Sequence, residues 1–383
     1  MREHALFKHR LQTLVAQPSV SSALADRDMG NEAVIDTLAE WLEKLGFSCE
    51  KQFVSPGKFN LIAVLGRGSG GLVLSGHSDT VPFDTNRWES DPFELNEKEN
   101  RFFGLGTCDM KGFFPVVLAA IEALELHPNM MKHPLIVLAT ADEESSMSGA
   151  RALVRQGLLD ARYAIIGEPT NLKPIHMHKG IAMERLQIRG KAGHSSNPQL
   201  GNNAIEAMQR AITVLLTYRD EIQKKYQNPA FTIAEPTLNL GCIHGGDNAN
   251  RICGECYLDF DIRQLPGMSL NEIHEALAIR LEKVALETGT SLSINHLFPG
   301  VEAFEQSKDS ELTQFCEKLT GHVSESVAFA TEAPFLQALG MQTIVLGPGS
   351  IDQAHQPNEY LHLDQISPAI NIVKSAIKKC CLS

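Results

Sequence analysis

Apolar positions recur along this chain in two rhythms. Within 31–45, Ile35, Leu38, Trp41, Leu42 and Leu45 return at helical spacing, and Gly46 supplies the stop. Helices are also predicted at 3–16 (ended by Gln17-Pro18), 113–126, 149–156, 309–319, 333–339 and 366–380. Short aliphatic runs at 49–54, 60–65, 71–75, 135–140, 163–166 and 342–346 read as buried strands. Strand, polar residues, helix, strand is the rhythm of an α/β domain with a mostly parallel sheet and crossover helices.

From Lys179 the rhythm changes. Residues 183–189 alternate like a half-exposed strand, 202–226 form a long amphipathic helix, and 237–243 and 253–262 read as strands. A helix then starts at Ser269, with Glu272 three residues on as a capping box, carries Leu270, Ile273, Leu277, Leu281 and Val284, and stops at Gly289. A strand at 291–297 closes the set. Strand-helix-strand-strand-helix-strand is the ferredoxin-like split unit. Because the parallel rhythm resumes afterwards, the unit is an insertion: one domain from 1–179 and 299–383, another from 180–298. Residues 82–106 are turn-rich. The loop Gly66-Arg-Gly-Ser-Gly-Gly71 resembles a dinucleotide fingerprint but joins strand to strand, so it reads as a hairpin turn.

Composition narrows the function classes. The 383 residues are 43% hydrophobic and 21% charged, the balance of a globular protein with a substantial core. A net charge of −12 with no basic run argues against nucleic acid or an anionic membrane as partner. No apolar run is long enough to span a bilayer, and the start lacks a signal-peptide core. The eight cysteines follow no disulfide spacing, which points to free thiols and a cytoplasmic setting. Cys253-Gly-Glu-Cys256 has no second pair with which to hold structural zinc.

Chemistry collects at the predicted strand ends. His77 and Asp79 follow 71–75, Glu143 and Glu144 follow 135–140, and Glu168 follows 163–166; Asp109 precedes a helix and His355 lies in the last loop. Any one of them alone reads as a solvated loop residue. Together, at one edge of one sheet, they make a nitrogen and oxygen donor set suited to Zn²⁺ or a neighbouring divalent ion, with ligands enough for two. No His-Glu-x-x-His motif or Walker loop supports a one-metal peptidase or a nucleotide enzyme.

Ser75-Gly-His-Ser-Asp-Thr-Val-Pro82, Gly104-Leu-Gly-Thr-Cys-Asp-Met-Lys-Gly112, Asp142-Glu-Glu144, Ile166-Gly-Glu-Pro-Thr170, Gly193-His-Ser-Ser196 and Ala354-His-Gln-Pro-Asn358 resemble the dinuclear zinc aminoacylase and carboxypeptidase family, from about residue 10 to the end. The resemblance implies a zinc-exopeptidase-like catalytic domain with an inserted lid and dimerisation domain. It implies that His77 and Glu168 complete one metal site, Glu144 and His355 the other, and that Asp109 bridges both. Asp79 then orients His77, and Glu143 is the general base for a metal-bridged water attacking an amide. The ions are zinc, with cobalt as a substitute.

His194 is the candidate donor to the oxyanion. In the family it comes from the partner subunit, which implies a homodimer and a closing motion; from the residues alone an ordinary strand-end histidine is as good a reading. Residues 237–266 and Thr331-Glu-Ala-Pro-Phe335 resemble a subfamily whose N-acyl amino acid substrate carries an α-carboxylate and a side-chain amine. Arg251, beside Asn250, suits a carboxylate clamp or a surface ion pair. Glu332 is the candidate for the ammonium, and Gly349, in Gly347-Pro-Gly-Ser350, for a backbone donor. Other acyl-amino-acid and peptide hydrolases of the family are the alternatives within the enzyme class. A silent metal-binding scaffold is the alternative outside it, against which the retained Glu143 argues.

Overall fold

A computed structural model describes residues 2–157 and 159–383. The chain divides into two compact units, one formed by the residues up to His176 with Gln306–Glu325 and Glu332–Ser383, the other by Met177–Glu305 with Ser326–Thr331. The second unit extends beyond the expected 180–298 at both ends. Its entry and exit strands pair with each other, Met177 opposite Glu305 and His178 opposite Phe304, so both flanks are tied into it.

The first unit is built on β1 (Ser48–Ser55), β2 (Lys58–Leu65), β3 (Leu72–His77), β4 (Leu135–Thr140), β5 (Tyr163–Pro169) and β6 (Gln342–Gly347). Their spatial order is β1-β2-β4-β3-β5-β6. β4, β3, β5 and β6 run parallel, while β2 and β1 are antiparallel additions at one side. Every residue of β3, β4 and β5 is buried, the signature of strands covered on both faces. The helix Phe113–Ala123 is apolar on nearly all sides and packs in the core beside Ile366–Ile377.

The 66–71 loop is not a hairpin turn, because β2 and β3 do not pair: β4 lies between them, and the loop crosses its end. The turn-rich stretch contains strands Asn96–Lys98 and Arg101–Phe103, which pair with each other, and the second also pairs with distant Tyr360–His362. Three-residue strands are too short to display alternation, and their partner lies far along the sequence.

The second unit holds an antiparallel sheet in the order Thr237–Gly245, Glu255–Arg263, Ile181–Arg189, Ser291–Val301, with helices Ala204–Lys225 and Leu270–Thr288 packed on it. This is the ferredoxin-like order. The capping box at Ser269 does not form. Ser269 has extended N-cap geometry but its hydroxyl caps nothing; Leu270 N–H instead donates to the Glu302 carboxylate, 3.3 Å from both oxygens. Gly289 ends the helix at φ +63°, as expected.

His178 shows how this unit closes. Its Nδ1–H donates to the Lys179 carbonyl at 2.8 Å, and its Nε2 accepts Thr331 N–H at 3.3 Å, so only the neutral ring satisfies both bonds.

Gly71 lies at φ +86°, and an added Cβ would overlap the Pro134 carbonyl, whereas Gly68, at φ +99°, faces open space. Gly71→Ala should cost about 3 kcal/mol or more and Gly68→Ala about 1 kcal/mol, read as urea midpoints. Burial lowers the His178 pKa from 6.5 to about 4. Between those values the unfolded chain binds the extra proton, so stability falls as pH drops through that window. Relative to His178→Gln, wild type should lose on the order of 3 kcal/mol from pH 7 to pH 4, and equal losses would remove this role.

Candidate metal centre

Parallel register brings the predicted residues to one level. His77, the last residue of β3, lies opposite Thr140, the last of β4, so Asp142, Glu143 and Glu144 leave the neighbouring strand beside it. On the other side, Ser75 pairs with Ile166, which carries Glu168 to the same edge. β6 follows, Gly347 opposite Pro169, and its loop brings His355 back. His355 and Asp142 adopt positive φ, 59° and 56°. The Asp142 turn is held by Lys58 Nζ at 2.7 Å and Ser21 Oγ at 2.9 Å, both donating to Oδ1.

The ligating atoms converge. Asp109 sends Oδ1 to within 3.0 Å of His77 Nε2 and Oδ2 to within 3.6 Å of His355 Nε2, and Glu144 Oε2 lies 3.0 Å from the latter nitrogen. His77 with Asp109 and Glu144, and His77 with Glu143 and Glu168, are two groups whose donor atoms all lie within 4.8 Å and that could hold a metal ion. His77 is oriented by residue 79, though not by the expected group. Its Nδ1–H donates to the Asp79 main-chain carbonyl at 3.0 Å while the carboxylate stands 3.8 Å away and accepts Glu144 N–H at 3.1 Å. Asp79 therefore ties the His77 and Glu144 loops together.

The charges are lopsided. Two imidazoles face the largely buried carboxylates of Asp79, Asp109, Glu143, Glu144, Glu168 and Glu332. Burial pushes Glu143 and Glu168 well above the carboxylate range, and neighbouring carboxylates (Glu168 for the first, Asp109 for the second) push them further. Burial lifts Asp79 to about 7. Burial opposes charge on His77, but the Asp109 hydrogen bond and the surrounding carboxylates raise its pKa well above the ordinary value. The Glu144 hydrogen bond raises His355 to about 9. Carboxylates driven to keep protons, with imidazole nitrogens aimed among them, are a donor set that divalent cations would satisfy. Two donors bound about 2.0–2.2 Å from one tetrahedral ion lie about 3.3–3.6 Å apart, close to the spacings found.

The model of peptidase family M20/M25/M40 matches residues 73–379. The chain belongs to this family. Among its relatives, a protein named acetylornithine deacetylase from Proteus mirabilis (strain HI4320) is 48% identical over 372 residues, 97% of this chain and 95% of its own length. One of the same name from Pasteurella multocida (strain Pm70) is 46% identical over all of both chains. A crystal structure of a M20 family metallo-carboxypeptidase from Sulfolobus solfataricus aligns at TM-score 0.76 and 19% identity, covering 97% of this chain and 98% of that one. A dinuclear metal binding peptidase of the M20 family from Bacillus subtilis aligns at 0.69 and 15%, covering 99% of each. These two share the fold.

The remaining predicted residues of this M20 chain fall into distinct settings. In the second unit, His194 and Arg251 pair on a two-residue ribbon, and the Asn250 carbonyl accepts Ser195 N–H at 3.1 Å, so residues far apart in sequence form one exposed group. Arg251 bonds Asp247 there. In the first unit, Glu332 is only 1% exposed and accepts from Ser75 Oγ at 3.2 Å. Gly349 does not offer its backbone to a ligand: its N–H donates to Gln365 Oε1 at 2.5 Å, and Gly347 N–H donates to Thr170 Oγ1 at 3.2 Å.

One residue gave no signal in the sequence. The Glu359 carboxylate accepts N–H groups of Gly106, Cys108 and Asp109 at 3.0, 2.7 and 2.9 Å, fixing the loop that presents Asp109. A lone acid in a polar loop carries no spacing that would reveal it. Glu359→Gln turns one acceptor into a donor facing N–H groups and should weaken divalent-cation binding by about 10–100-fold in calorimetric titration of metal-free protein; unchanged affinity would mean the loop is held by other contacts.

Proposed function

We propose that the chain is a metal-dependent acetylornithine deacetylase, hydrolysing N²-acetyl-L-ornithine to L-ornithine and acetate, a step of arginine biosynthesis. The substrate assignment rests on relatives of that name at 46–49% identity spanning nearly both full lengths. The chemistry rests on one observation: the Asp109 carboxylate lies between two imidazoles, one oxygen toward each. In this reading His77 and Glu168 would hold one divalent cation, Glu144 and His355 would hold the other, and Asp109 would serve both. Zinc suits the donors, and cobalt would substitute.

When bound, the cations supply Lewis acidity and make water acidic near neutral pH. Glu143, grouped with His77 and Glu168, would be favoured in its ionised form by positive charge held there. Glu143 takes the proton from the attacking water and passes it to the departing amine. Its position supports this, since it sits in the group with His77 and Glu168 and next in sequence to Glu144. Asp79 holds the loop that carries Glu144, and Glu359 holds the loop that carries Asp109.

His194 supplies the hydrogen bond to the oxyanion. Ser196 N–H donates to its Nδ1 at 3.2 Å, which leaves the proton on Nε2 and makes that nitrogen a donor. Its neighbours Arg251 and Asn250 receive the α-carboxylate, and Glu332 complements the ornithine ammonium. The Met177–Glu305 unit acts as lid and dimer interface, with His194 provided by the partner subunit. The edge strand Thr237–Gly245, with Ile243 54% exposed, supports an interface there.

Glu143→Gln should lower kcat by about 10²–10⁴-fold while cation content stays near two per chain, measured by metal analysis and steady-state kinetics. Chelation should abolish activity and zinc or cobalt should restore it. Of N²-acetylornithine, N-succinyl-diaminopimelate, acetylmethionine and a dipeptide, the first should turn over fastest; the slowest rate on it would remove the substrate assignment and leave the metal hydrolase.

A further inference from the structure

Away from that centre, the second unit contains a carboxylate in a place its pattern reserves for apolar side chains. In the strand Ile181–Arg189, Ala182, Leu186 and Ile188 face the helices and are fully buried. Glu184 lies on the same face and is 0% exposed. No Lys or Arg pairs with it among the described residues; two histidines do. His274 Nε2, on the helix Leu270–Thr288, is 2.8 Å from Glu184 Oε1. His296 Nδ1, from the edge strand Ser291–Val301, is 2.9 Å from both carboxylate oxygens. The rings stand 4.8 Å apart between centroids.

The backbone is built to bring them together. His296 pairs in register with Glu184, and a bulge begins immediately after it, the device that re-aims a side chain at a sheet edge. His274 follows Ile273 on the helix face that packs on the sheet. Three elements thus deliver one oxygen and two nitrogen donors to one point, all within 4.8 Å. The point is reachable from solvent: the His296 side chain is 56% exposed, and both rings line a groove of about 350 Å³. Glu282, two turns beyond His274, adds a second acid to that groove.

We propose that Glu184, His274 and His296 form a separate binding site for a borderline divalent transition cation of the zinc class. Two imidazoles and a carboxylate are a complete protein ligand set for such an ion, leaving a position open toward the groove. A buried carboxylate is costly unless its charge is compensated, and a divalent cation held between it and the two rings would compensate it. The ion ties the helix Leu270–Thr288 to two strands of the sheet. It lies within one unit and needs nothing from the catalytic centre.

The test is a difference in zinc content. Metal-free wild type, His296→Gln and His274→Gln are dialysed against buffered free Zn²⁺, and bound metal is counted with hydrolysis of N²-acetylornithine measured alongside. Each variant should bind one equivalent fewer, or bind that equivalent at least tenfold more weakly, with hydrolysis unchanged. His296 is half exposed, so its replacement leaves no core cavity, and circular dichroism checks the fold of both variants. Co²⁺ titration gives a second reading: wild type should show ligand-field absorption in excess of what the Asp109 centre gives in either variant. Equal zinc content and equal cobalt spectra would overturn the proposal and leave a hydrogen-bonded staple. Because only the difference from wild type counts, the result does not depend on how many ions the Asp109 centre holds.

Discussion

The structure depends on the parallel pairing of β3 between β4 and β5. Parallel strands end on the same side, so the residues just after each one form a single row. That is how His77, the Glu143–Glu144 pair and Glu168, from positions nearly a hundred residues apart, share one small volume. A one-residue slip of β3 would turn His77 to the other face of the sheet and disperse the donors. The apolar cores of β3, β4 and β5, buried on both faces, are what hold this register.

Register carries residues to the edge but does not orient them, and the orienting contacts come from elsewhere. Asp109 follows no strand of the parallel sheet. Its loop is held by Glu359, which reaches back across some 250 residues to take three of its N–H groups. Burial lifts Glu359 to about 8, and the same three hydrogen bonds act in the opposite sense, favouring the carboxylate that can accept them. Asp79 similarly joins the His77 loop to the Glu144 loop. These acids act on the donors through the main chain, and rigidity at a site of this kind comes from such contacts.

The difference between the two kinds of residue explains what could be read from the sequence. Strand ends are visible because aliphatic runs stop abruptly and polar residues follow, as at Ser75-Gly-His and Thr140-Ala-Asp-Glu-Glu. The ferredoxin-like unit was equally legible, since its helices and strands each show a clean period. Glu359, the pairing of His194 with Arg251, and the Glu302 cap on Leu270 were not. Each is a contact between side chain and backbone, or between short strands, far apart in sequence, and no local period encodes it. The 66–71 loop failed for the same reason: the sequence shows that two strands follow one another, but not that β4 comes between them.

Carboxylates buried against the hydrophobic pattern mark both units. In the first, Glu143 and Glu168 are enclosed at the strand ends, where burial and like charge oppose ionisation. In the second, Glu184 replaces an apolar residue on the core face. A fold selected only for stability would put Leu or Val at position 184, since a buried ionic group is commonly no better than a hydrophobic one of similar volume. A local rule broken without gain to packing is where chemistry is expected. At the Asp109 centre the surrounding donors supply the reason, because a cation converts mutual repulsion into shared attraction. The same reasoning applied to Glu184, with its two imidazoles and its path to solvent, leads to the second cation site.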